Sequence, residues 1–200
     1  VLTLLTADLI EYQNRRLARR YLAFVAEVEE HERAVAPSSR ALTLATAIGY
    51  HKLLAYKDEY EVARLLLDDD ANRDIRALAG PGDRVAWRLH PPTLRALGRS
   101  SKIALSTRWR PAIRLLASGR RLRGHWFDPF GWARLRRIER KLPAEYCDVL
   151  RTQLASLGPD TLAQAIEVAE LPDLVRGYEA VKLVNVAEFR RRLGQADAAG

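Results

Sequence analysis

Apolar residues recur at three- and four-residue steps through the first third of the chain. Leu2, Leu5, Leu9 and Tyr12, then Leu17, Tyr21, Val25 and Val28, share one side of a helical projection. Arg15, Arg16, Arg19, Arg20, Glu29 and Glu30 occupy the others, which predicts a helix over 2–34. Pro37 in "APSSR" (36–40) ends it, and Ser38 or Ser39 can accept a hydrogen bond from the free N–H groups of a following helix. That second helix is expected from about Ala41 to Leu67. Leu42, Thr46, Gly49, Leu53, Tyr56, Tyr60, Ala63 and Leu67 step alternately by four and three along it. Such a seam takes a partner helix, with Gly49 and Ala63 permitting close approach. Residues 1–67 therefore read as a long antiparallel helical hairpin.

Further along, the pattern shortens. "DDDANRDIRALAG" (68–80) predicts a short helix capped by aspartate and ended by Gly80. In "PGDRVAWRLHPP", Val85, Trp87 and Leu89 alternate with Arg84, Ala86, Arg88 and His90, a short strand stopped by two prolines. A lone strand needs a partner, either around Lys102–Leu105 or from another chain. Residues 93–107 are otherwise loop-like, and a short helix is expected over Pro111–Ala117. "DPFGWARLRRIERKL" opens a further helix with Asp128 as N-cap and Pro129 in its first turn. Pro143 should kink or restart it. After Gly158-Pro159 a helix runs to about Leu171, and "LPD" starts a last one carrying Leu174, Tyr178, Val181, Phe189 and Leu193 on one side. The expected architecture is mainly α: one helical domain over 1–200 built on the hairpin (1–67), a middle with one short strand or small hairpin (68–142), C-terminal helices (143–194) and a frayed tail (195–200).

Charge adds a second pattern. The chain of 200 residues has a formal net charge of +8. From Arg84 to Lys141, 16 Lys and Arg face only Asp128 and Glu139. A basic middle between acidic arms implies an anionic partner, or arms that fold against the middle. There is no methionine, not even at position 1, which reads as a piece of a longer polypeptide. No run of apolar residues is long enough to span a membrane. The single cysteine, Cys147, can neither close an internal disulfide nor hold a metal alone, which fits a reducing, cytoplasmic setting.

Candidate chemistry is sparse. His31, His51, His90 and His125 form no metal-ligand spacing, and His51 and Asp58 would stand about 10 Å apart along a helix. There is no nucleophile elbow and no glycine-rich phosphate loop. "YHKLLAYKDEYEVARLL" (50–66) is dense in charge, yet Lys57 with Glu61 and Glu61 with Arg64 fall at ordinary helical pairing distances, while Tyr56 and Tyr60 belong to the apolar seam. It reads as a packing helix with salt bridges. Trp87, Trp109, Trp126, Phe127 and Trp132, interleaved with arginines, leave a single-strand nucleic-acid surface as the alternative.

Five segments in order carry a resemblance: "AYKDEYEVARL" (55–65), "RLHPP" (88–92), "RLRGHWFDPFG" (121–131), "ER" (139–140) and "LPDLVRGYEAVKLVN" (171–185). They resemble the C-terminal helical domain of bacterial indolepyruvate:ferredoxin oxidoreductases, of the 2-oxoacid:acceptor oxidoreductase family. The resemblance implies a whole enzyme that oxidatively decarboxylates aryl 2-oxoacids with thiamine diphosphate and iron–sulfur clusters. It implies none of those cofactors, and no catalytic residue, in this stretch. Gly49 and His51 depart from the bulkier residues expected there, and Pro143 interrupts a helix expected to be unbroken. The implied role is a structural or interaction domain that meets the catalytic domains or subunits, or an acidic ferredoxin. Arg88, His90, Arg121, Arg123 and Arg176 are the expected contact residues, and Lys57, Asp58, Glu59 and Arg64 the organisers of the hairpin.

Overall fold

The computed structural model describes residues 1–69, 73, 77, 86–89, 103–177 and 179–198. These are mainly helical. They fall into two compact units, Val1–Tyr56 with Arg137–Gly200, and Lys57–Arg136.

The first unit holds α1 (Leu2–Tyr12), α2 (Arg15–Val35), α3 (Ala41–Leu54), α7 (Leu142–Ala155), α8 (Leu162–Glu170) and α9 (Glu179–Asp197). The single helix expected over 2–34 is two. Asn14 takes an extended conformation and its side chain accepts from the Leu17 N–H at 2.9 Å, so a short polar residue restarts the helix. The last helix starts at Glu179, not at Leu171. Leu171–Leu174 is a 3-10 turn, and Gly177 at φ +91° reverses the chain before α9. Pro143 sits in the first turn of α7, where its missing N–H costs nothing, and so restarts the helix.

A tyrosine cluster lies at the centre of this unit. Tyr21 stacks on Tyr50 at 5.8 Å and Tyr50 on Tyr146 at 6.3 Å, with Phe24 edge-on to Tyr50 at 5.1 Å. Buried phenols must find acceptors. Tyr21 donates to the Ala47 carbonyl at 3.0 Å and Tyr146 to the Ala169 carbonyl at 2.9 Å. Burial pushes the Tyr21 hydroxyl up to about 12, so both rings and hydroxyls stay neutral and inside.

Gly49 makes the close approach its size suggests. A Cβ there would stand 2.6 Å from the Ala169 carbonyl oxygen, which is backbone and has no freedom to yield locally. Gly49→Ala should therefore part α3 from α8 and cost about 1–3 kcal/mol, the range for overpacking. Thermal denaturation of the variant checks this, and a midpoint equal to that of the parent would refute it.

The second unit contains α4 (Glu59–Leu66), β1 (Ala86–Leu89), β2 (Ile103–Ser106) and α5 (Arg110–Ser118), and α6 (Arg134–Glu139) begins within it. β1 and β2 pair antiparallel, with Ala86 opposite Ser106 and Leu89 opposite Ile103. The helix expected over 68–80 falls largely outside the described residues.

The unbroken helix expected over 41–67 is α3 followed by α4. Asp58 is extended, and its carboxylate accepts from the Glu61 N–H at 2.9 Å, opening α4 as an N-cap. The carbonyl of Tyr56, freed by the break, accepts from the Tyr12 hydroxyl at 2.9 Å. The long two-helix hairpin gives way to a chain that leaves one compact unit and enters the other. The buried seam nevertheless persists: Leu42, Thr46, Leu53, Tyr56, Tyr60 and Ala63 are all buried.

Candidate functional site

Two sequence segments, 57–64 and 123–136, come together in the second unit around buried ions. Asp58 and Arg123 form a two-pronged pair, Nε to Oδ2 at 2.5 Å and Nη2 to Oδ1 at 2.7 Å, with both side chains about 4% exposed. The same Asp58 Oδ1 that meets Arg123 also caps α4, so one carboxylate satisfies a guanidinium and a helix end. Tyr60, two residues on, donates to Asp128 Oδ1 at 3.0 Å, and its ring lies edge-on to Phe130 at 5.1 Å and under the Arg123 guanidinium at 5.7 Å. Glu59 pairs with Arg136 at 3.3 Å, both nearly buried. Burial pushes the Glu59 carboxyl up, and the Arg136 guanidinium pulls it back only in part. Burial, then the Asp128 acceptor, drives the Tyr60 hydroxyl upward as well.

Asp128 does not cap a helix as expected. Residues 129–132 are turns, and the helix begins only at Arg134. Its carboxylate accepts from the Phe130 N–H at 3.1 Å, closing an Asx turn over Pro129, while the Tyr60 hydroxyl holds it from the other side. Oδ1 accepts both bonds and Oδ2 faces the Gly124 N–H at 3.4 Å, so the carboxylate is spent on the turn and caps no helix at Pro129.

The expected contact and organising residues divide. Asp58 and Glu59, expected organisers, and Arg123, an expected contact, are buried and paired with one another or with Arg136. Arg64 holds Glu61 through two nitrogens at 2.6 and 2.9 Å. Lys57 precedes α4 and is exposed, so of the two expected pairings of Glu61 the one with Arg64 forms and the one with Lys57 does not. Arg121 is exposed. Arg88 lies in β1 opposite Ala104, and His90 lies outside the described residues. Arg176 belongs to the other unit, where it is exposed and pairs with Asp173 at 2.9 Å. Tyr60, Asp128 and Arg136 carry as much of this arrangement as the residues singled out by sequence. Tyr60 and Asp128 carried a signal, a hydroxyl and a charge inside the distinctive segments, whereas Arg136 lies outside them and was one arginine among many in the basic middle.

Elsewhere the chemistry is sparse. The first unit has an open cleft of about 770 Å³, floored by Ala45, Ile48, Gly49 and Val168 and rimmed by Glu167, Glu170, Asp173 and Arg192. Its lining includes no serine, histidine, cysteine, lysine or tyrosine, so it offers no nucleophile and no base beyond surface carboxylates. His51, expected apart from Asp58, meets Asp8 at 3.0 Å instead. Burial raises the Cys147 thiol to about 11, well away from a reactive thiolate. Among the described residues no group of three or more His, Cys, Asp or Glu could hold a metal ion, and no helix is long and apolar enough to cross a membrane.

A model of a family of unknown function, DUF6537, matches residues 1–195. No curated protein and no solved structure matches the chain.

Proposed function

We propose, for a chain that belongs to the DUF6537 family, a non-catalytic structural and interaction role within a larger 2-oxoacid oxidoreductase of the indolepyruvate:ferredoxin type. The observation that carries the reading is the Asp58–Arg123 pair. Asp58 of "AYKDEYEVARL" and Arg123 of "RLRGHWFDPFG", the two most distinctive segments of the sequence, spend their charges on each other, buried, rather than on a cavity that a substrate could enter. Ionisable groups that work as acids, bases or nucleophiles need access to a reacting atom, and these have none. The attribution to that enzyme class rests on the five-segment resemblance. Under it, thiamine diphosphate and iron–sulfur clusters belong to other parts of the enzyme, whose catalytic domains or subunits and ferredoxin are this domain's partners.

The test uses the full-length protein. Given coenzyme A to take the acyl group, it should oxidise indolepyruvate with release of CO2 and with methyl viologen taking the two electrons, which bypasses any protein partner. Lys57→Ala and His51→Ala remove an exposed ammonium and the one imidazole of the 50–66 segment, and each should leave that rate within about twofold. A hundredfold loss at an unchanged melting midpoint would make the segment catalytic after all. No turnover by the parent protein would remove the enzyme attribution.

A further inference from the structure

The loop over 120–134 joins two features that surfaces seldom combine. Trp126 is 83% exposed, Trp132 68% and Phe127 45%, three large rings within seven residues held out toward water. Yet the loop is firmly held. Arg123 and Asp128 tie it to Asp58 and Tyr60, Gly124 turns it at φ +88°, and the Trp132 Nε1–H donates to the Trp126 carbonyl at 3.1 Å. Trp126 lies edge-on to Phe127 at 5.3 Å, and His125 stacks on Phe127 at 5.4 Å. Rings fixed in this way lose little entropy when another surface covers them, which is the property of interface hot spots.

Charge says what that surface is. Residues 57–136 hold 17 Lys and Arg against 9 Asp and Glu, a balance of +8 equal to that of the whole chain. The residues of the other unit therefore balance to zero. Asp58, Glu59, Glu61 and Asp128 are buried, whereas Arg108, Arg114, Arg121 and Arg134 are exposed. Among the described residues of the unit, burial thus takes four acidic side chains but only two basic ones, Arg123 and Arg136, from the surface. A single-stranded nucleic acid would want ring faces set out one after another for successive bases. Here the rings form a compact wedge, with Trp126 and Phe127 at 88° to each other.

We propose that the 120–134 loop is a docking surface for an acidic protein, whose carboxylates ring an apolar hollow. Trp126, Phe127 and Trp132 enter the hollow, and Arg121 and Arg134 meet the carboxylates. This deepens, and rests on, the interaction role proposed above. Tryptophan and arginine supply most of the affinity at such interfaces, while the basic field accelerates encounter.

The test titrates the full-length protein with an acidic ferredoxin as probe, at low and at physiological salt. Trp126→Ala with Trp132→Ala should weaken binding by about thirtyfold, the scale of two hot-spot side chains. Arg121→Glu with Arg134→Glu should weaken it mainly at low salt and flatten its salt dependence. All four side chains are exposed, so the melting midpoint should hold. Absence of ferredoxin binding by the parent, or affinities within twofold across the variants, overturns the proposal. So does binding of a random single-stranded 20-mer tighter than about micromolar that the same variants abolish, since charge alone gives roughly 10⁻⁴–10⁻⁶ M. Viologen-linked turnover separates the two ideas: turnover without variant-sensitive docking sinks the docking surface alone, and variant-sensitive docking without turnover sinks the enzyme attribution alone.

Discussion

Replacing Arg123 by alanine is expected to cost about 3–5 kcal/mol, because it leaves the Asp58 carboxylate buried without its counter-ion. The carboxylate would keep only the α4 cap, a hydrogen bond from the Glu61 N–H. Losing the guanidinium also removes the cation over the Tyr60 ring and one wall of the turn that Asp128 closes. Asp58→Asn in the same chain restores much of the loss, since an amide can still cap α4 while no longer demanding a charge partner. The double variant should therefore be more stable than Arg123→Ala alone. Urea denaturation gives the free energies, and hydrogen exchange at the α4 amides places the loss within residues 57–136. A double variant less stable than the single one would mean that the pair is incidental and that the arginine stem carries the packing.

The same pair shows how far the sequence could be read. Period and apolar seam were visible: nearly every seam residue from Leu42 to Ala63 is buried, Gly49 makes its close approach, and Pro143 restarts a helix. The breaks were not, because each depends on one short polar side chain choosing its own backbone over a continued helix. Asn14 and Asp58 both look like ordinary surface positions in a helical projection, and both turn out to cap. The misplaced helix at Asp128 has the opposite cause. Asp-Pro is a good helix start locally, but the Asp128 carboxylate closes an Asx turn on the Phe130 N–H and is held there by a tertiary partner, the Tyr60 hydroxyl. As for the candidate site, its segments were legible and its use was not. Asp58 and Glu59 carried the signal for an organising role, whereas Arg123, expected to meet a partner, is buried on Asp58; Arg121, Trp126 and Trp132 are what remains outside.

Glu32 has the second largest expected effect, and it went unnoticed in the sequence because it sits among Glu29, Glu30 and Arg33 on an apparently solvated helix face. It is 1% exposed. Its Oε1 accepts from the Ser39 hydroxyl at 2.6 Å and the Leu42 N–H at 3.0 Å, and its Oε2 from the Thr43 N–H at 2.8 Å and the Thr43 hydroxyl at 2.6 Å. A carboxylate on α2 thus does for α3 what Ser38 or Ser39 was expected to do alone; Ser39 takes only the Ala41 N–H, at 3.2 Å. Burial alone would raise the Glu32 carboxyl, but the four donors together with the helix end outweigh it and hold the group below its ordinary value of 4.5. Glu32→Ala strands buried N–H groups at the start of α3 and should cost about 3 kcal/mol. Glu32→Gln keeps one acceptor and should cost about half as much. The sign of the pH effect follows from the lowered value. The unfolded chain binds the proton more readily, so the Glu32 contribution is complete above the ordinary carboxylate range and is lost as pH falls through the folded-state value. Denaturation midpoints of parent and Glu32→Gln should therefore converge on acidification below about pH 4.5. Curves that stay parallel down to the acid limit would show that folding does not shift the Glu32 carboxyl, and that the four donors add no charge-dependent stability.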